Sequence, residues 1–174
     1  MIARVAEKSN ALLRRQQGGA MVAVLILVPV MVLVLVLSYD TADLTHTGSW
    51  FQESINRATK AAAFQITGIS YASGAPQIDP PTAEDRFREI LAQNMHLNPV
   101  TLEPQNDRVK TTPTYALLVF NGPFPQSYTN AEYGISETIN EPTVIAMVKF
   151  RYNSLGGTPR MIRRWALAKV VPKN

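Results

Sequence analysis

Two histidines, a few carboxylates and three of the nine serines are the side chains of this 174-residue chain to weigh first for catalysis. Neither His46 nor His96 has another His or a Cys within ligand spacing, so no metal site is expected. Asp79, Glu84, Asp85 and Glu89 could supply acid–base chemistry, but their clustering fits the capped, solvated face of a helix better. Ser70, Ser73 and Ser127 have no base nearby in sequence, and no G-x-S-x-G, H-E-x-x-H or Walker-type loop occurs. The chain has no cysteine, which excludes disulfides, zinc thiolates, iron–sulfur clusters and thiol nucleophiles. The expectation is a protein that is not an enzyme, with no catalytic residues, no cofactor and no metal.

The chemistry that remains is charge and apolar surface. From Lys149 onward the chain carries Lys149, Arg151, Arg160, Arg163, Arg164, Lys169 and Lys173 and no acidic residue. These residues suit an electrostatic contact with anionic lipid, a wall polymer or the acidic middle of a neighbouring copy. The net charge of +4 and the pI near 9.5 could suggest nucleic acid. The N-terminal positives Arg4, Lys8, Arg14 and Arg15 are better explained by membrane orientation, so no nucleic acid is expected.

Those positives precede residues 20–37, which contain no charged side chain. As a helix, such a run covers about 27 Å, close to the hydrocarbon thickness of a bilayer. In lipid the backbone must satisfy its own hydrogen bonds, so the helix wins over the β-preference of its many valines. Pro29 removes one bond and predicts a kink. No small-x-small site follows the run, which favours a retained helix over a cleaved signal. The positive-inside rule puts the N-terminus in the cytoplasm. The expected division is a basic cytoplasmic leader over 1–19, a transmembrane helix over 20–38 and an extracytoplasmic domain over 39–174. Tyr39 fits an interfacial aromatic belt.

Leu44, Phe51, Ile55, Ala58, Ala62, Ile66 and Ile69 recur at helical spacing, which predicts an amphipathic extension to about residue 66. Gly48 is a candidate hinge, and Gly68 and Ser73-Gly74-Ala75-Pro76 end the pattern. A second helix is expected after Pro80-Pro81, with Thr82 and Asp85 as a capping box, Phe87, Ile90, Leu91 and Met95 as its apolar face, and Pro99 as the far boundary. Then the period changes to two. Tyr115–Phe120 reads as a strand, and Thr143–Tyr152 and Met161–Val171 read as a hairpin turning at Gly156-Gly157. Residues 122–142, rich in Pro, Asn, Gly and Ser, read as an irregular connection. The expected fold class is α+β: a long N-terminal transmembrane and amphipathic helix packed on a small antiparallel β-sheet.

A basic leader ending in Gly18-Gly19, an apolar helix, the segment Ile55-Asn56-Arg57-Ala58-Thr59-Lys60-Ala61-Ala62-Ala63, the segment Leu91-Ala92-Gln93-Asn94-Met95 and C-terminal strands together resemble the TadE-like and type IV pilin-like membrane proteins of bacteria. The resemblance covers most of the chain as architecture and about 20 residues as motif. It implies a pilin-like domain in a subunit or minor component of a pilus or related secretion filament. A prepilin peptidase would cut after Gly18 or Gly19. The other implied partners are the lipid bilayer, an assembly platform and other copies or related subunits. The helix would pack through Val24, Leu27, Pro29, Leu33, Leu37, Phe51 and Ile55. The family's glutamate five residues after the cut is absent: Val24 or Ala23 stands there. That departure suits a tip subunit or a relative that does not polymerise. The alternative is a single-pass anchored binding or assembly module that uses the basic hairpin.

Overall fold

The computed structural model describes residues 2–68, 70, 76–105, 109–153 and 159–170. The chain divides into two compact units, Met1–Asp43 and Leu44–Asn174.

The described residues of the first unit are all helical. It lies on α1, Ile2–Ala63, which runs without interruption through Gly18, Gly19 and Pro29. From Met21 to Leu37 every large apolar side chain is exposed, from 51% at Val30 to 70% at Met21. This helix is long and apolar enough to cross a membrane.

The second unit is α+β. Its α1 portion buries one stripe, Phe51, Ile55, Ala58 and Ala62, all at 0% exposure, as the helical spacing predicts. The hinge expected at Gly48 is absent, because the helix continues through it. Gly48 is buried, and a Cβ there would lie 3.3 Å from an Arg164 guanidinium nitrogen. The missing side chain therefore serves close approach, not bending. The helix stops at Ala63, short of residue 66, and Ile66 instead forms an isolated bridge with Ile78. Ile69 and Ser73-Gly74-Ala75 lie outside the described residues.

Helix α2 spans Pro80–Met95, and its cap differs from the expected box. Asp79 is the N-cap, its carboxylate accepting from the Thr82 backbone N–H, and Pro80 and Pro81 are the first helical residues. Proline suits that place because the first helical N–H groups have no intrahelical partner. The Thr82 hydroxyl also donates to Asp79. At the other end His96 adopts a left-handed conformation (φ 52°), and its N–H donates to the Ala92 carbonyl. Phe87, Leu91, Ala92 and Met95 are buried.

Five strands follow: β1 Thr114–Phe120, β2 Gln126–Asn130, β3 Ile135–Ile139, β4 Thr143–Asn153 and β5 Pro159–Lys169. The turn residues 154–158 lie outside the described residues. An antiparallel sheet of order β1-β4-β5 holds the three expected strands, and β2-β3 form a separate antiparallel hairpin. That hairpin corrects the reading of 122–142 as irregular. Its strands QSYTN and ISETI are short and largely polar, and their stability comes from Ile135 and Ile139 buried against the sheet.

The central strand β4 is covered on both sides. Val144, Ala146, Val148, Phe150 and Tyr152 join the helices in one cluster, while Ile145 and Met147 join the hairpin in another. Period-two alternation requires this division.

Candidate functional site

Two surfaces merit attention: the apolar stretch of α1 and the charged strands. In the first, Val24, Leu27, Leu33 and Leu37 are each about 60% exposed, with Pro29 inside the helix among them. Phe51 and Ile55, by contrast, are fully buried in the domain core. The predicted packing residues therefore fall into an exposed set, which can meet lipid or other helices, and a buried pair that anchors a fold. The Thr41 hydroxyl donates to the Leu37 carbonyl at 2.8 Å, so this polar residue is satisfied within the helix. Tyr39 is 68% exposed.

The basic residues do not share one face. Adjacent strand residues point to opposite sides, so Arg163 and Arg164 must separate. The register aligns Lys149 with Arg163 and Val148 with Arg164. Lys149, Arg151, Arg163 and Lys169 therefore lie on the hairpin side, with Ile145 and Met147. Arg160 and Arg164 lie on the helix side, with Ile162 and Ala166. Lys173 is outside the described residues. Four of the six described basic residues therefore lie on one face and two on the other.

The four have local company. Residues 122–142 carry Glu132, Glu137 and Glu141 and no Lys or Arg. Arg163 Nε lies 3.1 Å from Glu132 Oε1, and Lys169 Nζ lies 3.6 Å from Glu141 Oε1. These half-exposed pairs clasp the hairpin to the sheet. Glu132 also offsets the repulsion between Lys149 and Arg163, which stand directly opposite each other. The signal that could have revealed the clasp was an acidic, base-free segment just before a basic, acid-free one.

Arg160 and Arg164 have no carboxylate partner among the described residues. Arg164 Nη1 donates only to its neighbour's carbonyl, Arg163 O, at 3.0 Å. Its guanidinium borders an open groove of about 610 Å³, lined also by Leu44, Thr45, Gly48, Ser49, Gln52, Glu53 and Asn56 of α1. Gln52 crosses from the helix to the strand, its amide donating to Trp165 O at 2.9 Å. The flank of α1 beside its buried stripe therefore forms one wall of the groove.

The carboxylates serve the fold. Asp79 caps α2, and Glu89 pairs with Arg86 at 2.5 Å. Glu84 accepts the Tyr115 hydroxyl at 2.9 Å. Burial, followed by that bond to a carboxylate, pushes the Tyr115 pKa up to about 12. Burial and the nearby Glu132 also raise that of Tyr133. Asp85 is exposed beside Glu84 and has no cationic partner among the described residues. His46 is exposed, and His96 terminates α2 through its backbone. The Ser70 hydroxyl donates to Thr67 O and accepts from the Gln77 N–H, a loop-fixing role. Ser127 is exposed on β2, and Ser73 lies outside the described residues.

No family model, no curated protein and no solved structure matches this chain.

Proposed function

We propose that this chain is a single-pass bacterial membrane protein that acts structurally. In this reading it is a TadE-like or type IV pilin-like subunit, or a minor component, of a pilus or related secretion filament, assembled through its N-terminal helix. The supporting observation is the Met21–Leu37 stretch, an uncharged helical surface with every large apolar side chain exposed. In water such a surface is a liability, and in a bilayer or against other helices it is satisfied. The basic residues ahead of it orient the α+β domain outward by the positive-inside rule.

The test has two parts. Leu27→Arg places a charge at the middle of the stretch at a cost of about 3 kcal/mol. The variant is expected to leave the membrane fraction or to lose cross-links between Val28→Cys helices in native membranes. Normal fractionation and cross-linking of Leu27→Arg would sink the reading. N-terminal sequencing then separates a filament subunit, starting at Gly19 or Ala20, from an uncut anchor starting at Met1.

A further inference from the structure

Asn121 follows directly on β1, and its side chain meets the main chain ahead of α2. The amide oxygen accepts from the Ile78 N–H and the amide nitrogen donates to the Ile78 carbonyl, both at 2.8 Å. The two bonds copy the exchange that a neighbouring strand residue makes. Ile78 is buried and precedes Asp79, the N-cap of α2. The Asp79 N–H donates to Gln65 O at 2.8 Å, and Ile78 bridges Ile66. One side-chain amide therefore ties the exit of β1 to the entry of α2 and to the chain just after α1.

The next residue is Gly122, and Asn121-Gly122 is the one Asn-Gly pair in the sequence. Gly122 has φ 108°, a conformation that glycine adopts without strain and other residues do not. The turn therefore demands glycine, and glycine leaves its own N–H unshielded by a Cβ. That N–H donates to no group among the described residues. Both residues are half-buried, so water reaches them. An asparagine amide beside an unhindered main-chain N–H is an intramolecular reaction with nucleophile and electrophile on adjacent residues. Here the nucleophile is free and the electrophile is held.

We propose that Asn121-Gly122 is a deamidation site gated by Ile78: the amide is stable while both bonds to Ile78 persist, and it cyclises when the 76–79 segment opens. In the first step Gly122 N attacks Asn121 Cγ. The N–Cγ bond forms, the Cγ–Nδ2 bond breaks, the Gly122 proton passes to the departing nitrogen and ammonia leaves. Water then adds to either carbonyl of the cyclic imide, giving aspartate or isoaspartate. No electrons are exchanged, and water is the sole co-reactant. Cyclisation turns Cγ onto Gly122 N, so the bonds to Ile78 must be released first. The product is a carboxylate, with no N–H for the Ile78 carbonyl, and it sets two acceptors face to face. The isoaspartate form also adds a main-chain atom at the exit of β1. Closure of the 76–79 segment is thereby weakened, and the opening leaves a permanent mark.

The test follows the Asn121 peptide by mass spectrometry after the full chain is incubated in detergent at mildly alkaline pH, with and without strong urea. The folded parent should convert at least about tenfold more slowly than the unfolded chain, because conversion tracks the population of the open form. Equal rates, or no conversion in urea, overturn the proposal. So does a product that contains aspartate and no isoaspartate, since that product bypasses the cyclic imide.

Ile78→Ala, which loosens the segment without touching the reacting pair, should raise the folded-state rate several-fold. Should that variant fail to fold, the parent in sub-denaturing urea supplies the same opening. Its conversion should accelerate before global unfolding begins. Acceleration only at the global transition means that no local gate exists, and the proposal falls. Asn121→Asp stands in for the product. It should speed hydrogen exchange across residues 76–79 by about tenfold and leave β4 and β5 unchanged. Unaltered exchange at 76–79 overturns the proposed weakening of the segment.

Discussion

The two faces of the three-stranded sheet are covered in different ways. On one, α1 and α2 bring Phe51, Ile55, Phe87, Leu91 and Met95 to 0% exposure against β4. The Phe51 and Phe150 rings meet edge to face, centroids 4.2 Å apart. On the other, a ten-residue pair of strands supplies only Ile135 and Ile139 as fully buried cover, with Trp165, Leu167 and Tyr128 partly buried around them. Polar contacts finish that side: the Arg163–Glu132 and Lys169–Glu141 pairs, and an amide N–H of Asn130 directed at Met147 Sδ at 3.3 Å. The difference shows that one buried strand can be served by two unlike covers. The helix side is dry packing. The hairpin side is a small apolar patch with a charged rim.

The contrast can be broken from either side. The largest effect is expected on the helix face, where Phe51→Ala should destabilise the domain by about 3–5 kcal/mol through cavity formation. Denaturant unfolding in detergent measures this, and a loss below about 1 kcal/mol would contradict so dry a core. Ile139→Ala, on the hairpin face, should cost about 2–4 kcal/mol or less, because a hairpin can settle more easily than two packed helices. Its signature is early proteolysis between β1 and β4, ahead of global unfolding. Equal resistance of this segment in the variant and the parent would remove the distinction between the covers. Glu132→Gln should cost about 0.5 kcal/mol, and the difference should fade in high salt, since the pair is half exposed. An unchanged difference at high salt would mean that packing, not charge, holds the rim.

The smallest effect concerns pH. Tyr115 titrates near 10 when unfolded and about 12 when folded. The folded state therefore favours the neutral phenol. Its contribution is full below pH 10 and is lost as pH rises toward 12. Tyr115→Phe should flatten that alkaline limb without changing stability near neutrality by more than the lost hydrogen bond to Glu84. A parent protein with no loss of stability between pH 10 and 12 would contradict this.

Legibility followed the strength of local pattern. The stripe from Phe51 to Ala62 and the alternation of Val144–Tyr152 were plain because each buries one face of a regular element. Three strands of the sheet were placed to within two residues. The β2-β3 hairpin was missed because QSYTN and ISETI contain few apolar residues and sit among prolines and glycines, the usual marks of a loop. Its two isoleucines, four apart on one strand face, were the available signal. The α2 cap was misplaced because Pro80-Pro81 reads as a breaker, whereas proline is favoured at the first helical positions. The groove at Arg164 depends on a strand register and on a glycine in a distant helix, and neither is visible in local periodicity. The adjacency of Arg163 and Arg164 was the available local signal that the basic residues could not all share a face.

The chain connectivity of the sheet also sets an order in time. β4 and β5 pair from Asn153↔Pro159 outward, across a short turn, whereas β1 reaches β4 only after the whole β2-β3 hairpin has intervened between Phe120 and Thr143. Closing the longer loop costs about 1 kcal/mol more chain entropy. The β4-β5 ribbon is therefore expected in the folding transition state, with β1 joining afterwards. Mutations such as Ala166→Gly should slow folding, and mutations such as Leu117→Ala should chiefly speed unfolding.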